Sequence, residues 1–180
     1  MDSQSSIGSS VSKTLRNDAL IAIAISLLGV IVYLAFRFDF QFGIAATIAT
    51  FHDVLTVLGI CWLFDKEINL LLITALLTLA GYSLNDTVII FDRIRETLTK
   101  TKAGSSFAEV INRSVNEVMT RTVGTSLTTL LALLALFFFG GSVIHEFSFA
   151  LLAGILVGTY SSIFVASPLL SLWRRGKVTA

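Results

Sequence analysis

The chain has 180 residues, of which 54% are hydrophobic and 14% are charged. Soluble domains carry roughly 25% charged residues, so this composition argues against a soluble domain and indicates a membrane protein. The net charge of +1, with no long block of like charge, argues against a nucleic-acid partner.

Five apolar segments follow a polar, serine-rich lead-in over residues 1–17. Each approaches or exceeds the roughly 20 residues that a helix needs to cross about 30 Å of hydrocarbon. They lack the period-2 alternation of barrel strands, so helices are the spanning structure that satisfies the backbone. The sequence therefore predicts an all-α membrane protein whose bundle, 18–173, has five transmembrane helices and precedes a tail at 174–180. The predicted spans are 18–36, 40–64, 68–91, 122–139 and 147–173.

The connection 92–121 is the longest between predicted spans, whereas the one at 140–146 is short. Within the longer connection, Ser106 and Glu109 form a candidate capping box. Apolar residues then recur at helical spacing, which predicts an amphipathic helix. This helix either lies on the membrane surface or extends the next span inward.

Lysine and arginine counts orient the bundle. If the 92–121 connection is cytoplasmic, ten basic residues lie on that side of the membrane and three on the other. The N-terminus is then periplasmic and the C-terminus cytoplasmic. Because the lead-in lacks the apolar core of a signal peptide, an outside N-terminus leads us to expect a further segment upstream.

Two acidic residues lie within predicted spans, Asp53 near the middle of the second and Asp86 in the cytoplasmic half of the third. A charge at the bilayer centre costs about 2.5–3.5 kcal/mol on insertion scales, so both are candidates for function. The alternatives are a helix-end cap or a structural ion pair for Asp86, and a packing hydrogen bond for Asp53.

Other polar residues lie near these acids. His52 is adjacent to Asp53 and is more typical of a satisfied interior histidine than of a ligand. Arg121 opens the fourth span and can reach a depth similar to that of Asp86. Thr125 belongs to a face of threonine residues that continues from Arg121. The alternative interpretation is that its hydroxyl only hydrogen bonds to a carbonyl group of its own helix.

Three further residues have mainly structural interpretations. Arg93 is seven residues from Asp86 and shares its helix face, but its main interpretation is that of an interfacial anchor. Gly154 and Gly158 form a GxxxG pattern typical of close helix packing. Pro168 is expected to bend or end the last helix.

Enzyme motifs do not emerge from the sequence. It contains no HExxH zinc pair, nucleophile elbow or Walker loop, and Leu84 replaces the glycine that an intramembrane aspartyl protease needs before Asp86. Cys61 is the single cysteine, which rules out an internal disulfide. We therefore expect a protein that is not an enzyme and has no metal or cofactor.

Several long motifs carry a resemblance to a known family. They are "RFDFQFGIAATIATFHDVLTVLGI", "GYSLNDTVIIFDRIRE", "NRSVNEVMTRTVGTSLTTLLALL" and "FALLAGILVGTYSSIFVASPLL". From about residue 7 to its end, the chain resembles the SecF branch of the SecD/SecF family, part of the RND superfamily. In that family a first membrane helix and a periplasmic domain precede the region of resemblance, so we expect this chain to be the C-terminal portion of a longer protein.

The resemblance implies an accessory subunit of the Sec translocase in the bacterial inner membrane. Such a subunit uses the proton motive force with SecD to promote protein export. The implied partners are SecD, the Sec channel with its accessory proteins, membrane lipid, and the translocating preprotein, which the periplasmic domain contacts. Two alternatives remain open, half of an RND-type small-molecule exporter and a structural or assembly subunit.

The resemblance also implies a proton relay that includes Asp86 and Arg121. Our hypothesis is that Asp86 releases its proton when Arg121 approaches and takes one up when Arg121 withdraws. Asp53 and Asn85 are further candidates for the relay, and His52, Thr125 and Arg93 are candidate supporting groups. In the structural alternative, Asp86 and Arg121 instead form a static ion pair.

Overall fold

The computed structural model describes residues 39–101 and 105–173 and, before them, 17–18, 21–22, 24–26, 28–34 and 36–37. Its long elements are α-helices, and a π-helical turn joins the last two. In chain order, the elements are α1 (Ala24–Leu34), α2 (Phe40–Leu63), α3 (Leu70–Lys100), α4 (Phe107–Phe139), α5 (Gly141–Ser161), the π turn (Ser162–Ala166) and α6 (Ser167–Trp173).

Four helical units are long and apolar enough to cross a membrane. They are α2, α3, α4 and the continuous unit Gly141–Leu172, which α5, the π turn and most of α6 form. These units match the second to fifth predicted spans and confirm a multi-pass, all-helical membrane protein. The first predicted span, 18–36, lies partly outside the described residues, and its described part is apolar and helical.

α3 is longer than the sequence predicted. It continues from the expected end at residue 91 to Lys100, giving 31 residues where about 20 suffice to cross the hydrocarbon. Glu96 pairs with Arg93 at i,i+3 and with Lys100 at i,i+4, which are spacings that stabilise a helix in water. Much of the predicted 92–121 connection is therefore helical and continues α3 and α4.

The amphipathic helix predicted in that connection is the first part of α4, so it extends the fourth span inward. Ser106 occupies the N-cap position, but within the described residues its side chain makes no capping hydrogen bond. The predicted capping box is wrong in that respect. Phe107, Val110 and Ile111 are buried, which shows that packing holds this end of the helix.

The predicted connection 140–146 is also mostly helical, because α5 begins at Gly141. Gly141 has a φ of 75°, a conformation that glycine adopts without a steric penalty, so the chain reverses at Gly140 and Gly141. The His145 ring stacks on Phe137 across this turn, with centroids 3.9 Å apart. A short glycine turn therefore replaces the expected loop.

α5 is the central helix and packs against α2, α3 and α4. A Cβ atom at Gly154 would lie 2.7 Å from Leu79 Cδ1, and one at Gly158 would lie 3.0 Å from Ser83 Cβ. The two glycines therefore let the backbones of α5 and α3 approach closely. This close approach brings the polar groups of α3 against those of α5.

Pro168 does not end the last helix, which continues to Trp173. The π turn comes immediately before α6, and Pro168 is the second residue of α6. Because proline has no N–H, it cannot continue the regular i to i−4 hydrogen bonding. The irregular turn accommodates this gap and the helix resumes beyond it.

Candidate functional site

Both acids that the sequence placed in the membrane are buried inside the bundle. Asp53, near the middle of α2, is 0% exposed, and Asp86, on α3, is 1% exposed. A carboxylate taken out of water is costly unless hydrogen bonds or an opposite charge compensate it. The neighbours of each acid therefore decide what it can do.

Asp53 has hydrogen-bond partners on two helices. The Ser83 hydroxyl on α3 donates to Asp53 Oδ2 at 2.5 Å, and His52 Nδ1 lies 3.0 Å from Oδ1. The His52 side chain is 41% exposed, so it joins the buried acid to the outer surface of the bundle. The packing hydrogen bond considered for Asp53 is thus present, and it links α2 to α3.

Asp86 is less completely satisfied than Asp53. The Ser126 hydroxyl on α4 interacts with its carboxyl group, and the charge of Arg121 acts on it through space. However, Asp86 Oδ2 has no hydrogen-bond partner among the described residues. This oxygen can accept a proton or a donor that moves toward it.

Arg121 lies close enough for its charge to reach Asp86 but remains outside the buried cluster. Its side chain is exposed, and within the described residues it forms no ion pair with Asp86. It lines a cavity of about 390 Å³ whose other polar walls come from α3 and α4, namely Asp92, Arg93, Glu96 and Glu117. The static ion pair of the structural alternative is therefore not formed in this conformation.

The threonine residues of α4 lie partly inside the helix bundle and partly on its exposed surface. Thr125 is exposed, and its hydroxyl donates to the carbonyl groups of Arg121 and Thr122, so it is back-bonded. Thr122 is buried, and its hydroxyl has no partner among the described residues. Because Thr122 lies one turn before Ser126, it shares the helix face that meets Asp86.

Two candidates from the sequence lie away from the buried acids. Asn85 is exposed on the outside of α3, although it precedes Asp86. Arg93 binds Glu96 on its own helix and Glu117 on α4, with the second ion pair at 2.6 Å. Neither side chain contributes a hydrogen bond to Asp53 or Asp86 in this conformation.

The sequence reasoning missed three hydroxyl groups that complete the site. Ser83 binds Asp53, and Thr87 Oγ1 lies 2.9 Å from Ser162 Oγ in the π turn. Ser83 lies three residues before Asp86 and Thr87 directly after it, so helical spacing could have identified Ser83. Ser162 had no such signal, because it is 76 positions after Asp86 in the chain.

The arrangement suits proton transfer better than metal binding. Among the described residues, no group of three His, Cys, Asp or Glu side chains could hold a metal ion. The site offers two buried acids, a histidine at the surface and hydroxyl groups between them. Hydroxyl groups both donate and accept hydrogen bonds, so they can connect groups that change protonation.

Comparison with known proteins finds relatives among protein-export membrane proteins. Residues 1–176 match the family model described as "Protein export membrane protein SecD/SecF, C-terminal". The protein translocase subunit SecF of Thermodesulfovibrio yellowstonii is 57% identical over 173 residues, which are 96% of this chain and 58% of that protein. The chain thus spans somewhat more than half the length of that relative.

Two further matches are to the fused form of the family. The protein translocase subunit SecDF of Thermus thermophilus is 46% identical over 168 residues, 93% of this chain and 23% of that protein. A crystal structure of SecDF from Thermus thermophilus, titled a translocon-associated membrane protein, matches with a TM-score of 0.85 and 47% identity. That match covers 89% of this chain and 22% of the solved chain.

Proposed function

We propose that this chain, which belongs to the SecD/SecF family of protein-export membrane proteins, is the proton-coupled membrane part of an accessory subunit of the Sec translocase. The observation that carries the proposal is the state of Asp86, which is buried with Oδ2 unpaired among the described residues while Arg121 lies exposed nearby. The relatives are named protein translocase subunits, which is a transport role.

The proposed step is reversible protonation of Asp86. When Arg121 moves inward from the cytoplasmic cavity, its charge stabilises the carboxylate and the proton leaves. When Arg121 withdraws, the buried carboxylate has lost its counter-ion and takes up a proton. Each proton that crosses about 100 mV supplies about 2.3 kcal/mol, and a pH gradient adds to this.

Proton movement drives work only if protonation favours one of two helix arrangements. In our proposal, α4 is the moving helix, because it carries both Arg121 and Ser126 and contacts Asp86 through the latter. Asp53, each of whose carboxyl oxygens has a hydrogen-bond partner in this conformation, is the second proton site. His52 connects it to the bundle surface.

We further propose that SecD covers the outer face of α3. Thr74, Thr78, Gly81 and Asn85 are exposed along this face at helical spacing. The Thr74 and Thr78 hydroxyls donate to carbonyl groups of their own helix, so the Asn85 amide is the costly polar group in lipid. Small residues such as Gly81 favour helix packing, so a protein neighbour suits this face. A relative in which the SecD and SecF parts form one chain supports SecD as that neighbour.

Cysteine cross-linking tests the position of SecD. We expect Asn85→Cys to cross-link with cysteines introduced into SecD, because Asn85 faces the proposed contact. Leu131→Cys, exposed on α4, serves as a lipid-facing control. Cross-linking from Leu131 and not from Asn85 would place SecD elsewhere.

We propose the membrane, the orientation and the neighbouring proteins from the family and the charge distribution. We place the chain in the bacterial inner membrane, with its N-terminus periplasmic and its C-terminus cytoplasmic. The Sec channel and its accessory proteins are the neighbouring assembly. The preprotein is contacted by a periplasmic domain in the part of the relatives that this chain does not span.

Protein export tests the function. We expect Asp86→Asn in the full-length protein with SecD to abolish the proton-dependent part of export, because the amide cannot exchange a proton. Asp92→Asn is the matched control, since Asp92 is a partly exposed acid six residues further along α3 that pairs with Arg37. Undiminished export by the Asp86 variant would reject the relay.

A further inference from the structure

The π turn brings a buried hydroxyl into contact with α3. Ser162, its first residue, is 0% exposed and lies at the end of the close α5–α3 packing that Gly154 and Gly158 allow. The Ser167 hydroxyl donates to the Ser162 carbonyl at 2.9 Å across the wide turn. π turns inside helices occur frequently at functional sites.

Ser162 contacts two residues that are one turn apart on α3. Its Oγ lies 2.9 Å from Thr87 Oγ1 and donates to the Ser83 carbonyl at 3.4 Å. A serine hydroxyl has a single proton, so Thr87 is the donor to Ser162 when Ser162 donates to Ser83. One side chain thus fixes the segment of α3 from Ser83 to Thr87.

That segment contains the groups that reach both acids. Its first residue, Ser83, donates to Asp53, and Asp86 near its end interacts with Ser126 on α4. One turn before Ser162, Thr159 Oγ1 lies 2.7 Å from Ser126 Oγ. Ser162 of the π turn therefore binds α3 on either side of Asp86, and Thr159 of α5 binds Ser126, the α4 neighbour of Asp86.

We propose that Ser162 is a positioning residue that couples the two buried acids by holding the Ser83–Thr87 turn of α3 where it serves both. Loss of this contact frees one rigid segment, so the surroundings of Asp53 and Asp86 change together. The proposal rests on the proton-relay function proposed above and adds that one hydroxyl group sets the surroundings of both proton sites.

The charged and titratable groups facing the two acids come from α2 and α4. His52 faces Asp53, and the Arg121 charge reaches Asp86. On α3, Asp92, Arg93 and Glu96 line the cavity beyond Arg121, together with Glu117 of α4. On α5, His145 lies at the opposite end of the helix, near Phe137. Ser162 itself adds only a hydroxyl group, so replacing it leaves the charges unchanged.

The test measures carboxyl titration by infrared difference spectroscopy on the full-length protein with SecD in lipid vesicles. Asp53→Asn and Asp86→Asn assign the two carboxyl bands. We expect Ser162→Ala to shift both titration midpoints, each by about half to one pH unit, since a lost hydrogen bond is of that order. Ser162→Thr, which keeps the hydroxyl, restores the midpoints toward the wild-type values.

Ser161→Ala is the matched control. Ser161 is adjacent and equally buried, but its hydroxyl has no partner among the described residues. We expect this variant to leave both midpoints unchanged. Three results would each overturn the proposal. The Ser161 and Ser162 variants could shift the titration midpoints equally, Ser162→Ala could shift the midpoint of one acid alone, or Ser162→Ala could shift neither midpoint.

Thermal unfolding separates a general loss of stability from positioning. A Ser162→Ala variant that unfolds at a lower temperature but keeps both midpoints has a structural role, and the proposal is then wrong. The outcome is also separable from the proposed function. If Asp86→Asn leaves export undiminished while Ser162→Ala moves both midpoints, the relay fails and the coupling stands.

Discussion

Asp86 and Arg121 lie near each other at the contact of α3 and α4, yet they do not form an ion pair. Asp86 is 1% exposed and leaves Oδ2 unpaired within the described residues, whereas Arg121 is exposed and lines a polar cavity. A permanent structural pair would place the two charges in contact. In the relay that we propose, this separation is the withdrawn position of Arg121, in which Asp86 binds a proton.

Removing the Arg121 charge tests this relationship. We expect Arg121→Gln to reduce proton-dependent export by about tenfold or more. The reason is that a nearby positive charge lowers the pKa of a carboxyl group by about 1–3 and so helps it to release its proton. Arg93→Gln is the control, because Arg93 is already paired with Glu96 and Glu117. Export rates at several imposed pH gradients provide the measurement, and equal losses in both variants would count against a special role for Arg121.

The Ser83–Asp53 hydrogen bond is expected to contribute to stability. Ser83→Ala removes the donor to a fully buried carboxyl group, and hydrogen bonds between membrane helices contribute about 0.6–2 kcal/mol. We expect a measurable decrease in the free energy of unfolding in detergent. Ser148→Ala, at a buried hydroxyl without a partner among the described residues, should change it by less than about 0.5 kcal/mol. A similar decrease in both variants would show that the hydrogen bond is not the cause.

Close packing at Gly158 is expected to be essential for the site. A Cβ there would lie 3.0 Å from Ser83 Cβ and 3.2 Å from Ser83 Oγ, so Gly158→Ala displaces the residue that binds Asp53. We expect destabilisation of about 1–3 kcal/mol, which exceeds the gain in helix propensity. Thermal unfolding of the purified protein measures the change.

Gly59→Ala provides the comparison for Gly158. Gly59 lies on α2, and no described atom comes within 4 Å of a Cβ placed there. The substitution should be neutral or stabilising by up to about 1 kcal/mol. Equal stability of the Gly158 and Gly59 variants would mean that α5 can move away from α3 at little cost.

The sequence predicted the spans because their lengths and apolar content follow directly from bilayer thickness. It also pointed to Asp53 and Asp86 as costly charges within the spans, and both are buried inside the bundle. The extent of α3 beyond residue 91 was missed. Its charged end forms ion pairs along the helix, whereas the sequence reading gave charge only an interfacial role.

Helix rotation explains why Asn85 lies apart from the buried acids. Successive residues on a helix are turned by about 100°, so a buried Asp86 requires Asn85 to point elsewhere. That much was available from the sequence. The partners Ser83 and Ser162 were not, because they depend on the register between α3 and α5, which is set by the close approach at Gly158.

Proton flux through the full-length protein with SecD, reconstituted in vesicles, tests the central claim most directly. A pH-sensitive dye inside the vesicles reports flux under an imposed potential. If Asp86 is the proton site, Asp86→Asn abolishes the flux while Asp92→Asn retains it. Wild-type flux through the Asp86 variant would contradict the account.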